Sequence, residues 1–202
     1  MLTQNALVAQ AAETRQRLLA AAEEVVQRDG VVGLTTKAVA QIAGRSEGSI
    51  YNHFADRLEL IMAVIDARLP DFVAVLTDLV PGRRSVASNL ERVTRAGIAF
   101  EQALFPLVAG VAADPQLLAR FKAVMLPADK GPHRPHRGIS AYLEGEKALG
   151  RISPDADCTA LTLMLIGSWR EAVFQELFGR PPISLRHAPR RIVRSLLSKE
   201  TP

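Results

Sequence analysis

Aromatic side chains are scarce in this chain: Phe, Tyr and Trp make up 5% of its 202 residues. Ala, Leu and Val dominate instead, which disfavours sheets built from β-branched and aromatic residues and favours helices packed through aliphatic side chains. Cysteine is almost absent. Cys158 stands alone, so no internal disulfide is possible, and one cysteine with four histidines does not make a usual structural zinc site. A reducing, cytoplasmic setting is expected. Long apolar runs are also missing: no uncharged stretch exceeds the twelve residues of 102–113 and 158–169, short of a membrane span. Residues 1–13 lack the basic start and apolar stretch of a secretory signal. A soluble protein without a membrane partner is expected. Nor does charge of one sign dominate the N-terminal part. The net charge is +4, yet residues 1–57 hold six Lys/Arg against six Asp/Glu, so global charge says little about a nucleic-acid partner.

What is present is an apolar content of 48%, ample for a packed core, arranged with helical spacing. Leu18, Ala21, Ala22, Val25 and Val26 form one stripe of a helix over about 14–28, which Gly30 is suited to stop. Thr35 can cap a two-turn helix carrying Val39, Ile42 and Ala43. Gly44 suits a left-handed reversal, and Ser46 can cap a third helix through Phe54. Asp56 is placed to cap a fourth, carrying Leu60, Ile61, Val64 and Ile65 to a break or kink at Pro70. Beyond it the pattern predicts helices over 85–104, after Asp114, over 139–149, from Ser153 to about Phe178 and over 189–198, with breaks at Pro106 and Gly110 and a loop over 127–138. The whole is read as all-α, with about nine helices and two domains: residues 1–57 and residues 58–202.

The segment 35–54 reads TTKAVAQIAGRSEGSIYNHF. Small Ala40 four residues before the turn glycine and apolar Ile50 six after it let two short helices cross closely, with the N-terminal end of the second free to enter a major groove. In combining a helix ending at Gly30, the Thr35-Thr36 start and the Ser46 to Phe54 pattern, the chain resembles the tetracycline-repressor (TetR) family of regulators over about residues 16–60. That resemblance implies an N-terminal helix-turn-helix and a C-terminal helical domain for ligand binding and dimerisation. It further implies a homodimer on palindromic double-stranded operator DNA, most simply a repressor released by a small molecule of unknown identity.

Carried over residue by residue, the resemblance implies phosphate contacts from Thr35 or Thr36, Ser46, Tyr51, His53 and Arg57, with base contacts from the face of the second helix that includes Ser49. Lys37 is a further phosphate candidate. Gly48 would let the helix end approach the duplex. Asn52 can pair with adenine through its amide or stay solvated. Arg45 stands where the family commonly has a small apolar residue, and either grips guanine or is an ordinary surface charge. Glu47 is an acid where many members have lysine; it either accepts a cytosine amino group or stabilises the positive end of the helix.

In the second domain, the last two helices carry more apolar surface than a monomer covers, predicting a dimer packed as a four-helix bundle. Thr94, Gly97, Glu101 and Leu104 share one helix stripe and suit a pocket wall, with Phe100, Phe105, Phe121, Met125, Met164 and Trp169 as apolar lining. The same residues equally serve as core. Catalysis finds little support: His133 and His136 flank Pro135 near Asp129, no glycine-rich phosphate loop occurs, and Cys158 lies in an apolar helix. No enzyme, cofactor or metal is expected. The rival class is a helical protein-interaction module using the basic face of Arg186, Arg190, Arg191 and Arg194.

Overall fold

A computed structural model describes residues 4–179 and 183–198. Residues 1–3 and 199–202, at the outer ends of the two expected domains, lie outside them. Among the described residues there are nine helices and no strand: α1 (Gln4–Gly33), α2 (Thr36–Ala43), α3 (Glu47–Tyr51), α4 (Arg57–Thr77), α5 (Val86–Ala113), α6 (Pro115–Met125), α7 (His133–Ala148), α8 (Cys158–Leu177) and α9 (Ala188–Leu197). Two compact units form. The first comprises the described residues up to Arg68 together with Leu104–Val124; the second comprises Leu69–Ala103 together with the described residues from Met125 onward.

The first unit is built on the predicted stripe of α1. Leu18, Ala21, Ala22, Val25 and Val26 are all buried, with Leu34, Val39, Ile50, Phe54 and Ile61. Fully burying one such Leu, Val, Ile or Phe side chain is worth about 1.5–3 kcal/mol, which holds the short helices α2 and α3, neither of which would be stable alone. Gly30 takes a left-handed φ of 67° and interrupts the helical geometry of α1 where the sequence predicts a stop. Gly110 does not break α5 as expected. A Cβ there would lie 2.3 Å from Val31 Cβ, so the missing side chain serves close packing on α1. Pro70 and Pro106 lie within continuous helices α4 and α5 rather than ending them.

The second unit packs Leu90, Val93, Ile139, Leu143, Leu165, Trp169 and Val193 into one core. Beside it runs a polar network. Asn89 Nδ2 donates to the Arg83 carbonyl (2.7 Å) and to the Tyr142 hydroxyl (2.9 Å). The fully buried Glu146 accepts from the Gly82 amide (3.3 Å) and pairs with Arg151 Nε (3.2 Å), fastening the turn before α5 to α7. Several expected boundaries shift, and α1 begins at Gln4 rather than near residue 14. Helix α3 ends at Tyr51 rather than Phe54. The predicted loop ends earlier, because α7 starts at His133 with Pro135 in its first turn, where no helical amide is needed. Helix α8 starts at Cys158, with Asp157 as its cap (Ala160 N to Asp157 Oδ1, 2.9 Å) in place of Ser153.

By length and composition alone α5 is apolar enough to cross a membrane. Counting uncharged runs misses this because Glu101 divides the stretch. Leu90, Val93 and Leu107 of α5 are fully buried, and Glu101 is paired with Arg170 (2.6 Å).

Candidate functional site

The head of the first unit is assembled from two capped helices and one reversal. Thr35 Oγ1 accepts from Ala38 N (3.1 Å) and caps α2. Gly44 (φ 63°) reverses the chain, and the following amide, Arg45 N, returns to Ala40 O (2.9 Å), satisfying the end of α2. Val39 and Ala40 of α2 and Ile50 of α3 are buried, which fixes α3 across α2 at short range. Phe54, directly after α3, is buried beneath the Arg15 guanidinium, 5.1 Å above its ring centroid.

This anchoring turns the polar side of the head outward. Thr35, Lys37, Arg45, Ser46, Glu47, Gly48, Tyr51 and Asn52 are exposed; Thr36, Ser49 and His53 are half-buried beside them. Tyr51 is 57% exposed although Ile50 and Phe54, its neighbours in sequence, are buried. A Cβ on Gly48 would meet no protein atom within 4 Å, so its bareness serves no packing inside the unit and leaves the outer face of α3 open. Arg45 and Lys37 have no ion-pair partner among the described residues.

Two residues are committed to partners that the sequence does not reveal. Thr36 Oγ1 donates to Glu47 Oε1 across the turn between α2 and α3. Arg57 donates to the Val31 carbonyl at the end of α1, with its Nε buried, so its guanidinium faces the interior of the unit. Ser46 makes no capping bond with its side chain. Asp56 caps α4 through Glu59 N (2.9 Å) and is paired on its other oxygen with Arg120 of α6; the Glu59 amide and the Arg120 guanidinium hold its carboxyl below the usual range. Arg15 and Arg120 are missed by sequence reasoning because their partners lie 39 and 64 positions away, beyond any helical period.

Of the expected pocket residues, the second unit brings together Gly97, Phe100 and Trp169. The Trp169 ring lies against Gly97 and edge-on to Phe72 (centroids 6.4 Å), and Phe72 stacks on Phe100 (4.8 Å). The buried Trp169 Nε1 has no hydrogen-bond partner among the described residues. Glu101 pairs with Arg170, and the Thr94 hydroxyl donates to Leu90 O (2.7 Å) within its own helix. Met164 points outward at 51% exposure, Met125 is half-buried in the second unit, and Leu104, Phe105 and Phe121 belong to the first. A groove of about 360 Å³ lies elsewhere in the second unit, between Ala87 and Glu91 of α5 and Arg190, Val193 and Arg194 of α9. On α8, Leu163, Met164, Phe174, Leu177 and Phe178 at its end are exposed at helical spacing, with the bare Gly167 between them. The apolar face of α9 is instead turned inward through Ala188, Pro189 and Val193.

Neither catalytic candidate gathers a site. His133 and Arg137 share the exposed Asp129 (2.8 and 2.6 Å), and burial pushes the Cys158 thiol up to about 11. Among the described residues no three His, Cys, Asp or Glu are placed to hold a metal.

Residues 18–64 match the family of bacterial regulatory proteins, tetR family. The chain is 44% identical over 63 residues to the HTH-type transcriptional repressor BepR of Brucella suis, a match spanning 31% of this chain and 30% of that one. It is 43% identical over 60 residues to the HTH-type transcriptional regulator SrpR of Pseudomonas putida, spanning 30% and 28%. Sequence similarity to both relatives therefore covers less than a third of their length. Among solved structures, a putative TetR-family transcriptional regulator from Mesorhizobium loti superposes with a TM-score of 0.68 at 21% identity, covering 95% of this chain and 98% of that one. The transcriptional regulator FadR from Bacillus subtilis, in complex with stearoyl-CoA, gives 0.68 at 16% identity, covering 91% and 97%. These two likenesses concern the fold.

Proposed function

We propose that the chain, whose residues 18–64 match the tetR family of bacterial regulatory proteins, is a DNA-binding transcriptional regulator of that family that acts as a homodimer, most simply a repressor released from a palindromic operator by a small molecule. The observation that carries this is the outward face of α3: Tyr51 and Asn52 exposed over a fully buried Ile50, beside a Gly48 that packs against nothing. Such a face fits a major groove, with Ser46, Ser49 and His53 at its edges. Thr35 is the better phosphate donor of the two threonines. Its oxygen accepts from an amide and its hydroxyl proton remains available, whereas the proton of Thr36 is given to Glu47. Lys37 and Arg45 supply positive charge on the same head.

In this proposal residues 1–57 read DNA and residues 58–202 dimerise and sense the effector. The exposed apolar stripe of α8 supports a self-complementary interface, and α9, whose apolar side faces its own unit, flanks it. Gly97, Phe100 and Trp169, with the unpaired indole N–H, support an effector that is largely apolar with one acceptor group. Its binding selects a dimer with differently spaced heads, a coupling of about 1–3 kcal/mol, with α4, which follows the head directly in the chain, as the lever. DNase footprinting on the DNA upstream of the protein's own gene tests the proposal. A protected, two-fold symmetric site of two half-sites is expected; no protected site there and none from randomised DNA rules out an operator reader.

A further inference from the structure

Glu47 is the only acid between Asp29 and Asp56, and it sits on the most exposed part of the head, among Arg45, Ser46 and Gly48. Near DNA such a carboxylate is repelled by every phosphate, so it lowers affinity unless it meets a donor. Its side chain does not cap α3. It crosses the turn to α2, where Thr36 Oγ1 donates to Oε1. That bond fixes the rotamer of an otherwise mobile side chain, and it leaves Oε2 as an acceptor on the outer surface.

From this geometry we propose that Glu47 fixes a cytosine in each operator half-site by accepting a hydrogen bond from its N4 amino group, with Thr36 as the positioning residue. The inference rests on the head being a DNA reader. The selectivity follows from acceptor chemistry. In the major groove only cytosine N4 and adenine N6 donate; guanine N7 and O6, thymine O4 and adenine N7 all accept. Adenine presents its donor between two acceptors, its own N7 and thymine O4, which a carboxylate avoids, whereas cytosine N4 has an acceptor, guanine O6, on one side only and a C–H on the other. An ionised carboxylate therefore singles out a C·G pair. The Thr36 bond does more than hold Glu47 in place: it removes the Thr36 proton from the set available to phosphates.

The test is selection of sites from randomised duplexes by the full-length protein, followed by competition binding with each selected pair replaced. Wild type, Glu47→Ala, Glu47→Gln and Thr36→Val are compared, with helical content checked for each. The wild type is expected to require C·G at one symmetric position, with about a tenfold loss on replacement. Glu47→Ala loses that preference while keeping those at other positions, and binds unrelated DNA more tightly at low salt. Glu47→Gln moves the preference towards A·T, because an amide offers adenine both a donor and an acceptor. Thr36→Val weakens the C·G preference without shifting it. A wild-type site whose base preferences are all unchanged in Glu47→Ala overturns the inference and leaves the DNA-reading proposal standing. Failure of the wild type to enrich any site overturns both.

Discussion

Arg120 of α6 pairs with the carboxylate of Asp56 whose other oxygen caps the first turn of α4 through the Glu59 amide. One acid thus ends a helix and holds a second helix against it within the first unit. Loss of such a cap costs about 1 kcal/mol, and the partly exposed ion pair adds less than about 1 kcal/mol. Asp56→Ala is expected to lower the urea midpoint more than Arg120→Ala, with the double variant close to Asp56→Ala alone. The carboxyl is held below the usual range by the Glu59 amide and Arg120, so its contribution is complete above the unfolded-state value of about 4 and fades as pH falls through the lower folded value. The gap between Asp56→Ala and wild type should therefore be full at pH 7 and shrink below pH 4. An equal gap at both would contradict the assignment.

Arg57 gives the family resemblance and the structure different duties. Its guanidinium donates to the Val31 carbonyl instead of facing outward. Arg57→Ala is expected to cost about 1–3 kcal/mol in chemical denaturation, because a carbonyl at the end of α1 loses its charged donor. The salt dependence of DNA binding should stay unchanged. A slope reduced by about one charge would instead return Arg57 to the phosphate backbone.

Gly97 carries the Trp169 ring directly on its backbone: a Cβ there would lie 2.7–2.9 Å from three ring atoms. Alanine gains up to about 1 kcal/mol of helix propensity, but displacing a rigid buried indole costs about 1–3 kcal/mol. Gly97→Ala should therefore lower Tm and shift the emission of the sole tryptophan. An unchanged spectrum with a raised Tm would show that the ring moves freely.

Leu163 and Phe178 are 64% and 68% exposed on the apolar stripe of α8. Leu163→Glu with Phe178→Glu places two charges in the proposed interface. Sedimentation velocity should show a dimer for wild type and a folded monomer for the variant, with operator affinity falling at least tenfold as the second head is lost. A variant that remains dimeric would move the interface elsewhere.

How far the sequence leads depends on the range of the interaction that decides each feature. The α1 stripe, the Thr35 cap, the Gly44 reversal and the Asp56 cap follow from neighbours within five residues, and all are found in the structure. Pro70, Pro106 and Gly110 do not end their helices; at Gly110 tertiary packing decides, because its bareness is needed against Val31, 79 positions earlier. The face of the head was legible in outline. That Thr36 is tied to Glu47 within that face, and that Arg57 turns away from it to Val31, was not, since hydrogen bonds over 11 and 26 positions leave no periodic trace.

Titration of the selected operator duplex with wild type and with a Tyr51→Ala, Asn52→Ala double variant, each at two salt concentrations and against random DNA, separates an operator reader from a non-specific binder. Wild type should bind the operator at least a thousandfold more tightly than random DNA, with affinity that weakens with salt and falls in the variant to the random-DNA level. Equal affinity of wild type and variant for the operator would contradict that expectation.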